Sequence, residues 1–131
     1  MIEKALFTKL TATSAITSIV STRVFPVFLP EKTTLPAIVY IRVSTEGALM
    51  SHSGSSGIMT SEFEVGCYAK DLATAKNLAL TVRKTFSGFS GTVSGVKIQR
   101  ASVDNEFDEY DFDTGLYTIP VEVYLTHKED L

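Results

Sequence analysis

The sequence predicts an α+β fold: a mostly antiparallel four-stranded sheet with helices packed on one face, in the order α-α-β-β-α-β-β. Three observations lead there. Apolar stripes of helical period fill residues 2–20 and 71–86. Strict apolar–polar alternation marks residues 60–69 and 116–126 as half-buried strands. Strand-like segments come in pairs on either side of the longer helix, which favours two hairpins.

The first helix is read over residues 2–10, where Ile2, Leu6 and Leu10 recur at i, i+4, i+8 beside Ala5. A second covers residues 14–20, with Ala15, Ile16, Ile19 and Val20 on one side and Thr13 or Ser14 as its cap. Residues 24–36 hold Pro26, Pro30 and Pro36, which forbids a helix interior or a central strand. An ordered, extended connection is expected, packed down through Val24, Phe25, Val27, Phe28 and Leu29. Residues 37–45 form a β-branched strand with Val39, Ile41 and Val43 on one face. Residues 46–59, rich in glycine and serine, are expected to be a long flexible loop.

In the strand at 60–69, Phe63, Val65 and Cys67 face one way and Glu62, Glu64 and Tyr68 the other. The clearest helix spans 71–86, capped by Asp71. Its stripe is Leu72, Ala75, Leu78, Ala79, Val82 and Phe86. Arg83 and Lys84 suit the negative end of its dipole, and Gly88 and Gly91 end it. Residues 95–103 make a third strand, 104–115 an acidic connection, and 116–126 a fourth strand. Tyr117, Ile119, Val121, Val123 and Leu125 line one face of that last strand, and Pro120 argues for an edge position or a bulge. No repeat or boundary divides the chain, so residues 1–131 are read as one domain.

Composition narrows the function. The chain has 44% hydrophobic and 21% charged residues, which is globular and not disordered. Its twelve Lys and Arg against fifteen Asp and Glu leave a charge of -3, the wrong sign for a free-standing nucleic-acid binder. One cysteine, Cys67, permits no intrachain disulfide. Two separated histidines, His52 and His127, leave little for a metal centre. No apolar run is long enough to span a bilayer, and the N-terminus does not read as a signal peptide. Neither a cofactor nor a membrane partner is expected.

The strongest local anomaly is acidic: Asp104, Glu106, Asp108, Glu109, Asp111 and Asp113 are six of the fifteen acids. The calcium-loop template requires glycine at its sixth position and glutamate at its twelfth, but here they are Glu109 and Gly115. Nothing nearby supplies a nucleophile or phosphate cradle for acid–base chemistry. Two readings remain: a solvated hairpin loop, or an arm that repels phosphate or pairs with basic groups on a partner. Phe107, Tyr110 and Phe112, interleaved with the acids, either pin the arm to its own core or anchor that partner. Cys67 is read as a small core residue and His52 as solvated. His127 closes the last strand without an i+4 partner, and the loop glycines Gly47, Gly54 and Gly57 do not match a phosphate-binding motif.

Taken in order, these pieces resemble the small tail-completion, or tail-terminator, proteins of long-tailed bacteriophages and prophages. The resemblance runs through Arg23-Val24-Phe25-Pro26, then the Leu35-Pro36-Ala37-Ile38-Val39-Tyr40 strand. It continues in VGCYAKDLATAKNLALTVRKTF, a polar strand ending in Cys-aromatic-Ala before a helix. The closing hairpin places an acidic turn before Thr114-Gly115-Leu116-Tyr117. The chain departs from the family pattern in its long segment 44–59.

The resemblance implies a structural virion protein and no catalysis. It implies a ring, commonly a hexamer, on the head-proximal end of the tail tube, made in the host bacterial cytoplasm and found at the head–tail junction. The ring would stop tube growth and offer a docking face to the head-completion, or stopper, protein. Its partners would be its own copies, the tail tube protein and the stopper, with DNA crossing the lumen without specific binding. On this reading the six acids, Asp104 to Asp113, face the channel or a neighbouring subunit. Met50, Ser51, His52, Ser53 and Gly54 form a candidate assembly loop. A small homo-oligomeric binding module outside any virion, or a small enzyme, is the alternative. Convergent His, Cys or carboxylate groups in a pocket would mark the enzyme, and the sequence offers none at credible spacing.

Overall fold

The computed structural model describes residues 1–47, 50–51, 54–55 and 57–128. Helix α1 (Ile2–Ala12) buries Ile2, Ala5, Leu6 and Leu10, the stripe that the four-residue spacing predicts. Helix α2 (Ser14–Val20) buries Ile16 and Val20 and leaves Ala15 exposed. Thr13 stands at its N-cap position with extended backbone, but its hydroxyl turns back to the Lys9 carbonyl at 2.7 Å and does not cap α2.

The strands that follow are β1 (Val24–Pro26), β2 (Ala37–Gly47), β3 (Met50–Ser51), β4 (Gly54–Ser55) and β5 (Ile58–Ala69). Helix α3 (Leu72–Phe86) then leads to β6 (Gly91–Val93), β7 (Val96–Glu106), β8 (Glu109–Asp111) and β9 (Leu116–Lys128). Asp71 caps α3 as expected, accepting from the Thr74 amide at 3.2 Å and the Thr74 hydroxyl at 2.6 Å.

The expected four-stranded, mostly antiparallel sheet is not what forms. The main sheet has seven strands in the order β1-β2-β5-β9-β7-β6, with β8 also paired to β9. It is mixed, because β1 runs parallel to β2. Three of the added strands, β1, β6 and β8, have only three residues each, too few to show a period. Both expected hairpins form, β2 with β5 and β7 with β9, but they join through β5 and β9, so the last strand lies inside the sheet and not at its edge.

The proline-rich segment thus supplies a strand after all. It does so at the sheet edge, where Pro26 needs no donor on its outer side. Arg23 fastens this edge, donating from Nε to the Pro36 carbonyl at 2.9 Å. Pro120 is likewise neither at an edge nor at a register shift: it lies in β9 opposite Gly66 of β5. On its other side β7 ends at the Glu106–Val121 pair and β8 begins at the Glu109–Thr118 pair. The Pro120 carbonyl accepts there from Phe107. Its missing N–H therefore falls where the neighbouring strand is interrupted.

Register fixes the two faces. Phe63, Val65, Cys67, Ile119, Val121, Val123 and Leu125 form the inward row and share the core with all three helices. From β2, Ile38, paired with Cys67, is buried in that row, and Tyr40, paired with Val65, packs against it partly buried. Val39 and Ile41 point to the opposite face, and Val43 sits at a register shift, 53% exposed. Leu72, expected in the buried stripe of α3, is 40% exposed at the helix start, while the rest of that stripe is buried. At the far end of the sheet the inward row turns polar. The Thr45 and Ser61 hydroxyls lie 2.8 Å apart, and Ser61 Oγ lies 2.8 Å from His127 Nε2.

Candidate functional site: the acidic arm and its groove

The last residues of β7 and the chain from there to β9 form the arm that the sequence marked as acidic. The structure divides its six acids into three groups. Glu106 ends β7 on the inward side, opposite Val121, and meets Arg83 of α3 at 2.8 Å. Asp108 meets Lys76 of α3 at 2.9 Å. Phe107, between the two acids, lines the same shallow surface as Leu80 of α3. Asp104 occupies the register shift between Val103 and Asn105; on the outward face the Tyr124 pKa is raised by burial first, then by Glu62, and less by Asp104 and Glu122.

Glu109, Asp111 and Asp113 form the third group. In β8, Glu109 pairs with Thr118 and Asp111 with Leu116, positions of the outward row. Tyr110 pairs with Tyr117, their rings 4.8 Å apart, and Phe112 meets Tyr110 edge-on at 5.0 Å. The turn is built by Asp111: its Oδ1 accepts from the Asp113 amide at 2.9 Å and its carbonyl from the Gly115 amide at 2.7 Å. Gly115 adopts φ +71 there, a conformation that favours glycine.

These residues line a groove of about 750 Å³ together with Leu29, Tyr68, Thr118 and Leu116. Tyr68 lies over Gly66, where any Cβ would come within 3.0 Å of its ring. Burial raises the Tyr68 pKa, and the charges of Glu64, Glu109 and Asp111 raise it further. Glu64 is raised too, by burial first and then by Glu109, Glu122 and Glu62. The outward face is therefore a region of like negative charge.

Beside Leu29 the connection does not pack down as expected. Val27 and Phe28 are 64% and 69% exposed. Val27 has φ +70 at the centre of a three-residue turn closed by the Phe28 amide on the Pro26 carbonyl at 2.8 Å. A β-branched residue in this region is strained.

The candidate assembly loop is partly described. Met50 pairs with Ser55 and Ser51 with Gly54, so strand pairing occupies part of what was read as loop; His52 and Ser53 lie outside the described residues. Cys67 is fully buried, with its thiol pKa pushed up by burial. Ser61 and His127 stand at the spacing of a hydroxyl and a general base, but both are fully buried and serve as a strut between strands. Thr45, Ser61 and His127 all continue the inward row at its far end, and only strand register brings them together. Among the described residues no group of three or more His, Cys, Asp or Glu side chains could hold a metal ion, and no helix is long and apolar enough to cross a membrane.

Comparison with known proteins agrees with the resemblance read from the sequence. One solved chain, from the "Virion of native gene transfer agent (GTA) particle", matches with a TM-score of 0.76 at 16% identity, covering 95% of this chain and 92% of its own. A second solved chain matches with a TM-score of 0.66 at 13% identity, over 99% of this chain and 95% of its own. At such identities the likeness is one of fold. No curated protein sequence matches the chain. The family model of tail completion protein gp17 matches residues 4–127, nearly the whole chain. The chain therefore belongs to the tail completion protein gp17 family and is a structural tail protein of virions.

Proposed function

We propose that the protein forms a ring, commonly six copies, on the head-proximal end of the tail tube. There it stops tube growth and presents a docking face to the head-completion, or stopper, protein. DNA crosses the lumen without specific binding, and the protein resides at the head–tail junction and has no catalytic role. The family match over residues 4–127 carries this reading. The shape of the subunit supports it. The turn of the arm, after the Asp111–Leu116 pair, lies at the end where β5 finishes, at the Ala69–Tyr117 pair, and the β3–β4 segment joins β5 at its other end, at the Ile58–Lys128 pair. The twelve residues between separate the two by about 40 Å. One end can engage the tube while the other meets the stopper.

On this reading Asp104, Glu109, Asp111 and Asp113 are the acids that face a channel or neighbour; that Glu106 and Asp108 are engaged by α3 supports the choice. A carboxylate-lined lumen releases no counterions from DNA and lets it slide. The test polymerises tail tube protein in vitro with and without this protein and images the products by negative stain. The expected result is shorter tubes with a ring at one end. Tubes of unchanged length with neither end decorated would overturn the reading.

A further inference from the structure

We propose that the groove between Leu29 and the arm receives an extended, arginine-bearing segment of a partner protein. The inference deepens the reading of the arm as a docking face and rests on it. Three observations converge on this groove. The first is unmatched charge: Glu109, Asp111 and Asp113 line it, and no salt bridge to any of them forms among the described residues, whereas Glu106 and Asp108 of the same arm each hold a cation. The second is exposed apolar surface: Phe112, which lines the groove, is 89% exposed, and Val27 and Phe28, next in the chain to the lining residue Leu29, are 64% and 69% exposed. Such a patch marks an interaction surface. The third is an edge: among the described residues β8 pairs with β9 alone, so its other side is open to an added strand.

Charge complementarity selects the occupant. Carboxylates repel a phosphate backbone, which excludes nucleic acid from this groove. Aromatic residues, Tyr68 and Tyr110, line the groove together with the carboxylates. A guanidinium satisfies both, since it stacks on aromatic rings and bonds carboxylates in pairs, while a lysine ammonium provides only a point charge.

The test titrates the full-length, isotope-labelled protein with the peptide Gly-Ser-Arg-Val-Arg-Val-Arg-Ser-Gly and follows amide shifts. Saturating shifts are expected at Tyr68 and along residues 109–116. The same peptide with lysine for arginine should bind about threefold more weakly. The double variant Glu109→Gln with Asp113→Asn, both at exposed positions, should weaken arginine-peptide binding about tenfold. Glu106→Gln should leave it unchanged. Absence of shifts at millimolar peptide, equal binding of the lysine peptide, or shifts of the same amides by duplex DNA would each overturn the proposal. If the double variant still terminates tubes with a ring but the wild-type groove ignores the peptide, only the groove is refuted. If tubes grow unchecked with wild-type protein, the ring reading itself fails.

Discussion

Cys67 and Glu64 are near neighbours on β5, on opposite faces of one sheet, and their chemistry follows from that alone. The buried thiol should react with a disulfide reagent only after unfolding: slow labelling in buffer and complete labelling in urea are expected by absorbance. Glu64 has a raised pKa, so the native state holds its proton more tightly than the unfolded chain does. Its contribution to stability is therefore favourable at low pH and lost as pH rises through the native value. Glu64→Gln should raise the melting temperature at pH 7, by less than about 1 kcal/mol in stability for so exposed a group. The gain should vanish below the ordinary carboxylate range, as checked by melting curves across pH. Residue roles of this kind were legible where alternation is strict, as it is in residues 60–69. They were not legible at His127. Its partner Ser61 is 66 residues away, and only the β5–β9 register brings the two together.

Elements with local causes were read correctly, and those with distant causes were not. The α3 boundaries follow from one cap and one apolar stripe. Asp71→Ala should cost about 1 kcal/mol in urea unfolding, because Thr74 loses its acceptor. The three-residue strands carry no such signal. β1 exists because β2 offers it a parallel edge, and β8 because β9 extends beyond β7. The arm is held to α3 by two partly exposed ion pairs. Replacing Glu106 and Asp108 by their amides should cost no more than about 1 kcal/mol per pair. It should also speed amide hydrogen exchange in residues 104–113 selectively. Loss of α3 protection as well would show that the latch supports the helix and not only the arm.

At the scale of the whole molecule, the charge of -3 resolves into a geography. Twelve cations face nine acids outside residues 104–113, so a slightly basic body carries one acidic arm. Family membership was legible from motif order across the whole chain, whereas sheet order was not, because strand adjacency depends on packing between segments far apart in sequence. The place of β9 has a further consequence, and it concerns timing. Every long-range pairing of β5 with β7 and β8 passes through β9, the last strand of the sheet to be synthesised. Until residues 116–128 have left the ribosome, β5 and β7 present open, apolar-rowed edges with nothing between them. A chain ending at Thr114 should remain without cooperative melting. In the cell, folding must wait for the end of translation of this segment, and assembly-competent subunits appear only after it.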